Sequence, residues 1–142
     1  MDMLGAGLGL FRTSSFAYAG LSAAHILCIA LLVGTIIPLD LGLLGLRRLV
    51  WTREVAGKLQ GLAALGLAGA IASGALLFGV RPPDYLGNPA FLAKMALVAA
   101  GLANILAARL ISAGRVPGRV SAALSLAAWF GALCAGRWIA FT

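Results

Sequence analysis

The sequence predicts an all-α integral membrane protein, a single domain of residues 1–142 folded as an up-down-up-down four-helix bundle. The chain is 62% hydrophobic and only 11% charged, and its mean hydropathy of +1.03 is far above that of a soluble domain. Four apolar stretches fill almost the whole chain, and each is long enough for a bilayer, which takes about 20 residues to cross. Because the connections between them are short, neighbouring helices are expected to be antiparallel.

Local signals place the ends of these helices. Pro38 lies inside the first helix and should kink or tilt it, and Pro82 and Pro83 should stop the second. Asn88 is typical of an N-cap, and Pro89 of the first residue of the third helix. The four helices are expected at about 16–46, 59–80, 89–111 and 120–141.

The charge pattern predicts both the partner and the orientation. Eleven Lys and Arg against four Asp and Glu give a net charge of +7. No basic face interleaved with aromatic residues is present, which argues against nucleic acid and for lipid headgroups. The positive-inside rule then places both termini outside, away from the cytoplasm. The first and third connections hold most of the basic residues: Arg47, Arg48, Arg53 and Lys58, then Arg109, Arg115 and Arg119.

Small residues recur every four positions in the second and fourth predicted helices. In the second helix these are Gly66, Ala70 and Gly74. Such a face allows two helix backbones to approach closely. We expect it to serve packing within the chain rather than a dimer interface.

His25 is the single histidine of the chain and lies inside the first apolar stretch. It is about nine residues, or roughly 13 Å, from the outer end of that helix. An ionisable group inside a membrane is costly unless it has a partner, and such groups are usually functional. We therefore interpret His25 as a ligand. The alternative is a neutral imidazole that is hydrogen-bonded to a neighbouring helix.

Two further basic residues are expected at the same end of the bundle as His25. Lys94 and Arg137 each lie about one turn from the outer ends of the third and fourth helices. Three cationic groups facing one space call for an anion. A haem fits them, with the imidazole on iron and the propionates near Lys94 and Arg137. A quinone or an anionic lipid fits less specifically, and both side chains could instead extend to the headgroups.

The two cysteines suggest an alternative ligand set. Cys28 follows His25 by three residues on one helix face, and Cys134 precedes Arg137 by three. Together with His25 they could bind Cu(I), which prefers soft thiolates. Cysteine is also an ordinary small residue of apolar cores.

The remaining polar residues of the apolar stretches are interpreted structurally. Asp40 is expected to form an ion pair with Arg47, two turns along the same face, which Arg109 and Arg119 also approach. Asn104 should hydrogen-bond across helices. The sequence contains no catalytic triad, nucleotide-binding loop, paired-carboxylate site or CxxC motif.

Scattered pieces of the chain form a recognisable pattern: AHIL at 24–27, Gly34, LDLGLLG at 39–45, GALLF at 74–78, NPAFLAK at 88–94, Trp129 and Gly136-Arg137. They resemble a bacterial family of four-helix membrane proteins similar to copper-resistance D (CopD) membrane domains. More distantly, they resemble HemJ-type haem-binding protoporphyrinogen oxidases. The resemblance implies a bacterial inner membrane, b-type haem or copper handling, and roles for the first-helix His25 and for Lys94. Where an arginine is expected after Asp40-Leu41, this chain has Gly42.

The leading hypothesis from the sequence is a membrane protein with a b-type haem in the outer half of the bundle. His25 would be an axial ligand, and Lys94 and Arg137 would hold the propionates. Electron transfer is favoured over substrate turnover, because no acid/base machinery accompanies the site; whether the chain is an enzyme stays open. With one histidine, a bis-imidazole haem requires a second protomer or a redox partner subunit. The alternatives are a copper-handling protein using His25, Cys28 and Cys134, and a non-catalytic membrane subunit or packing module.

Overall fold

The computed structural model describes residues 3–45, 53–110 and 118–142, except for four side chains in these ranges (Leu4, Arg53, Ala108 and Arg109). The described residues are helical and contain no β-strand. The helices α2, α3, α5 and α6 are long and apolar enough to cross a membrane. The elements are α1 (Met3–Thr13), α2 (Ser15–Leu43), α3 (Arg53–Val80), α4 (Pro82–Leu86), α5 (Pro89–Leu110), α6 (Gly118–Trp138) and a 3₁₀ turn (Ile139–Phe141).

All four predicted long helices are present, although some of their ends differ from the prediction. The first ends at Leu43, and the second begins at Arg53 rather than near residue 59. Glu54 and Lys58 therefore belong to α3, not to the connection before it. Both are good helix formers, and their side chains pair one turn apart, with Oε1 and Nζ separated by 3.3 Å. The polar first turns of α3 hid the start of the helix from a prediction based on apolar runs.

Two short helices were not predicted. Ser14 separates α1 from α2 and caps α2, since its Oγ accepts a hydrogen bond from the Ala17 N–H at 3.3 Å. The helix α3 ends at Val80, as the prolines predicted, but Pro82 then opens α4. Proline suits the first position of a helix because its missing N–H is not needed there.

The helix α1 is attached to the end of α3. Arg12 donates hydrogen bonds from Nε to the Val80 carbonyl (3.1 Å) and from Nη2 to the Gly79 carbonyl (3.3 Å). Carbonyls in the last turn of a helix lack partners within the helix, so the guanidinium satisfies them. Leu8 packs against Gly79 beside these bonds.

The helices α2 and α3 pack closely and run antiparallel. His25 contacts Ser73, whereas Cys28, further along α2, contacts Gly69, which comes earlier in α3. At Gly66 an added Cβ would lie only 2.7 Å from the Leu32 backbone nitrogen. The predicted packing role of the small residues in the second helix is therefore confirmed at Gly66.

The helix α6 lies between α2 and α5. Trp129 of α6 is only 4% exposed and fills the centre of the molecule. Its ring lies against Gly101 of α5, where an added Cβ would come within 2.9 Å of the indole. Leu32, Ile36 and Ala63 complete this buried core.

Two asparagines make the hydrogen bonds that the sequence predicted, Asn88 as an N-cap and Asn104 between helices. Asn88 Oδ1 accepts hydrogen bonds from the N–H groups of Ala90 (2.9 Å) and Phe91 (3.3 Å), so it is the N-cap of α5. Asn104 donates from Nδ2 to the Ser121 carbonyl across to α6 (2.9 Å). Both predictions are confirmed.

Candidate functional site

The candidate site lies at the histidine end of the molecule, the end at which α2 begins, α3 ends, α5 begins and α6 ends. His25 Nδ1 and Ser73 Oγ are 2.8 Å apart across the α2–α3 interface. Ser73 is 7% exposed, and its hydroxyl donates to the Gly69 carbonyl one turn back, at 2.6 Å. This back-bonding to the preceding turn is common for serine within helices.

These two hydrogen bonds determine the tautomer of a neutral His25. A serine hydroxyl has one proton, and the distance of 2.6 Å between Ser73 Oγ and the Gly69 carbonyl oxygen assigns that proton to the carbonyl. With this assignment Ser73 Oγ accepts from His25, so Nδ1 carries the ring proton. The lone pair of Nε2 is then free to bind a metal or to accept a hydrogen bond.

Glycines of α3 provide the space for the side chains on α2. An added Cβ at Gly74 would lie 3.1 Å from His25 Cε1, and one at Gly69 would lie 2.5 Å from Cys28 Sγ. Sequence reasoning found Gly74 but missed Ser73. The signal that could have found Ser73 is a polar residue on the small-residue face of α3, at the depth of His25.

Lys94 lies in the same region as His25. The charge of its ammonium acts electrostatically on the imidazole of His25. The side chain runs along α6, with Nζ 3.3 Å from the position of a Cβ at Gly136. Among the described residues, the ion pair is that of Glu54 with Lys58, at the opposite end of the molecule. Lys94 therefore has no carboxylate partner among the described residues.

Arg137 is exposed, unlike Lys94. Its guanidinium carbon lies 5.2 Å from the ring centroid of Phe141, in a cation–π contact. Lys94 is thus near enough to His25 for its charge to act on the imidazole, and Arg137 directly follows the glycine that Lys94 contacts. The predicted role of Arg137 in holding a propionate stays a prediction.

The structure does not assemble the predicted copper ligands. Cys28 is half-buried against α3, whereas Cys134 is exposed on α6. Among the described residues, no three His, Cys, Asp or Glu side chains are grouped so that they could hold a metal ion. The copper hypothesis stays a prediction without a preformed three-ligand site.

An aromatic cluster that the sequence did not suggest covers the histidine end. Phe78 of α3 stacks on Phe91 of α5 with ring centroids 5.8 Å apart, and Tyr85 of α4 lies 5.3 Å from Phe91. The hydroxyls of Tyr85 and Tyr18 are 3.4 Å apart. Burial, with a smaller contribution from the bond to Tyr18, raises the pKa of Tyr85 to about 12. Phe91 is one turn from Lys94 on α5, so the cluster belongs to the same end of the bundle as His25 and Lys94.

The prediction that Arg119 takes part in an ion pair with Asp40 is wrong. Asp40 accepts a hydrogen bond from the Ser125 side chain of α6. Arg119 is exposed and does not pair with it: the guanidinium lies beside Gly45, with Nη2 3.4 Å from an added Cβ there. Arg119 starts α6 while Asp40 faces Ser125, almost two turns further along that helix. Arg47 and the side chain of Arg109 lie outside the described residues.

The resemblance to copper-resistance D domains and HemJ-type proteins rests on the residues quoted above and stays a prediction. Comparison of the chain with protein-family models, with curated proteins and with solved structures found no match.

Proposed function

We propose that this chain is an integral membrane protein that binds a b-type haem at His25 and transfers electrons. The surface of the long helices supports membrane insertion. Large apolar side chains are exposed on the long helices, among them Leu27 (70%), Leu65 (64%) and Phe130 (59%). In water such surfaces would aggregate, whereas lipid tails are as apolar as leucine.

The proposed topology is an up-down-up-down bundle in the bacterial inner membrane. The antiparallel contacts of α2 with α3 support it. So do those of α5 with α6, where Leu97 contacts Gly131 and Lys94 contacts Gly136. The excess of Lys and Arg in the first and third connections and in the helix ends beside them supports an orientation with the histidine end and both termini outside.

The observation that carries the haem proposal is the Ser73-fixed tautomer of His25. Histidines that bind metals almost always donate their other ring N–H to a fixed acceptor, which sets the tautomer and the ring orientation. Ser73, itself held by the Gly69 carbonyl, is such an acceptor for Nδ1. Nε2 is then the atom that would bind iron.

Lys94 supports an anionic cofactor rather than a bare metal ion. The Lys94 ammonium is half-buried and has no carboxylate partner in the described residues, so a propionate would stabilise it through a charge-assisted hydrogen bond. Arg137, next to the glycine that Lys94 contacts, would hold the second propionate. A bound haem supplies an iron that cycles between the ferrous and ferric states and so carries one electron.

The chain has one histidine, so its haem cannot be bis-histidine within one protomer. A second imidazole would have to come from a second protomer or from a redox partner subunit. The lipid bilayer and such a partner are the proposed interaction partners.

The test is the absorbance spectrum and haem content of protein purified from cells supplied with haem. The wild type should show a Soret band, and His25→Ala should lose it. Ser73→Ala removes only the acceptor for Nδ1, and should weaken haem binding about 10–100-fold. Ser121→Ala is the matched control, because that serine bonds to Asn104 instead. A colourless wild type, or a His25→Ala variant with full haem content, would refute the proposal.

The alternatives from the sequence make different predictions. A copper-handling protein should bind Cu(I) in a metal analysis and lose it in Cys28→Ser or Cys134→Ser. A packing module should bind no cofactor and should assemble fully with His25→Gln.

A further inference from the structure

A second polar position lies at the aspartate end, the end at which α2 finishes and α6 begins. Asp40 and His25 are both on α2, 15 residues or about 22 Å apart. The apolar core around Trp129, Leu32 and Ile36 lies between them. The two groups therefore belong to separate sites, and the state of Asp40 is independent of haem binding at His25.

The Asp40 carboxyl is buried with few partners. The residue is 8% exposed, one of its oxygens accepts from Ser125, and Oδ2 has no hydrogen-bond partner. Trp129, one turn beyond Ser125, does not donate to it, since its own indole N–H also has no partner. An ionised carboxylate offers about four acceptor positions, so a single donor leaves most of them unsatisfied.

Among the described residues, no charged group at this end of the molecule neutralises Asp40. On α3, Glu54 and Lys58 are exposed and paired with each other. On α6, Arg119 is exposed beside Gly45. Four arginines of this end lie wholly or by their side chains outside the described residues: Arg47, Arg48, Arg53 and Arg109. Pairing of Asp40 with one of them is an outcome that the NMR titration distinguishes.

We propose that Asp40 is a proton-binding site, with the proton on Oδ2 at neutral pH. The added proton removes the buried charge, while the other oxygen keeps its bond to Ser125. Asp40 is three residues, or about 4.5 Å, from the last residue of α2, whereas the core separates it from the histidine end. The proton therefore exchanges with water on the side where α2 ends.

The experiment is a pH titration by NMR of the full chain in lipid nanodiscs, with ¹³C at the aspartate γ-carbons. The chain has three aspartates: Asp2, Asp40 and Asp84. Asp84 is exposed and provides a reference carboxylate signal in the same sample. Assignment uses Asp2→Asn and Asp84→Asn, so the test does not require an Asp40 variant that folds.

The Asp40 signal should stay at the position of a protonated acid at pH 7, where a water-exposed aspartate, with a pKa of about 3.9, is ionised. An Asp40 signal at the carboxylate position at pH 7 would overturn the proposal, and would indicate pairing with one of the arginines. A titration that shifts with Na⁺ at constant ionic strength would also overturn it, in favour of a cation site.

Discussion

Replacing Gly66 with alanine should separate α2 from α3. An added Cβ would lie 2.7 Å from the Leu32 nitrogen and 2.9 Å from the Cys28 carbonyl oxygen. Ordinary van der Waals contact begins near 3.4 Å, so the helices must move apart by the difference, 3.4 − 2.7 = 0.7 Å. The atoms in the way belong to the backbone and cannot rotate aside. Overpacking of this kind costs about 1–3 kcal/mol.

A matched control separates this cost from helix propensity. Alanine is a better helix former than glycine by roughly 1 kcal/mol, which opposes the steric effect. Gly61 lies on the same helix, and an added Cβ there meets nothing within 4 Å. Gly61→Ala therefore gains helix propensity without a steric cost. The difference in unfolding free energy between the two variants isolates the cost of overpacking.

The assay is unfolding in mixed micelles of increasing SDS content, followed by circular dichroism. Gly66→Ala should be less stable than Gly61→Ala by about 1–3 kcal/mol. Ser73 is two turns from Gly66 on the same helix, so the same separation should also weaken the bond between Ser73 and His25. Equal stability of the two variants, within about 0.5 kcal/mol, would refute the close backbone contact on which this reasoning rests.

Two further predictions concern the histidine end. Asn88→Ala should lower the unfolding free energy by about 1 kcal/mol because α5 loses its N-cap, whereas Asn88→Asp should retain most of it; equal losses in both variants would contradict the capping role. Tyr85 should ionise near pH 12 in an ultraviolet titration, because burial and Tyr18 raise its pKa to about 12, and Tyr18→Phe should lower that value. Since an exposed tyrosine has a pKa of about 10, the folded protein keeps this proton up to a higher pH than the unfolded chain does. The resulting stabilisation is complete below pH 10 and is lost as the pH rises to 12; Tyr85→Phe should abolish this dependence.

The fold was predictable where its signals are local. Apolar runs identified the four long helices, and Asn88-Pro89 identified the start of α5, because capping depends on a few adjacent residues. The polar first turns of α3 were assigned to a connection, since a search for apolar residues cannot separate a helical extension from a loop. The short helix α4 was missed because its proline was interpreted as the end of the preceding helix.

The candidate site was predictable in part. His25 and Lys94 are conspicuous as ionisable residues within apolar stretches, and the structure places them in one region. Ser73 was missed because an isolated serine in a helix is common. Its role appears only when His25 lies opposite it.

The sequence by itself determined that this chain forms four long apolar helices, with one histidine and one aspartate deep within the first. Only the tertiary structure decided that Ser73 fixes the tautomer of His25, and that the Asp40 carboxyl faces Ser125 rather than Arg119. The physical reason is rotation. A helix that is apolar on nearly all sides carries little amphipathic signal for the direction in which each face points. That direction is set by close contacts such as Gly66 against Leu32 and Gly101 against Trp129. Because these contacts join residues far apart in the chain, they exist only once the helices have packed.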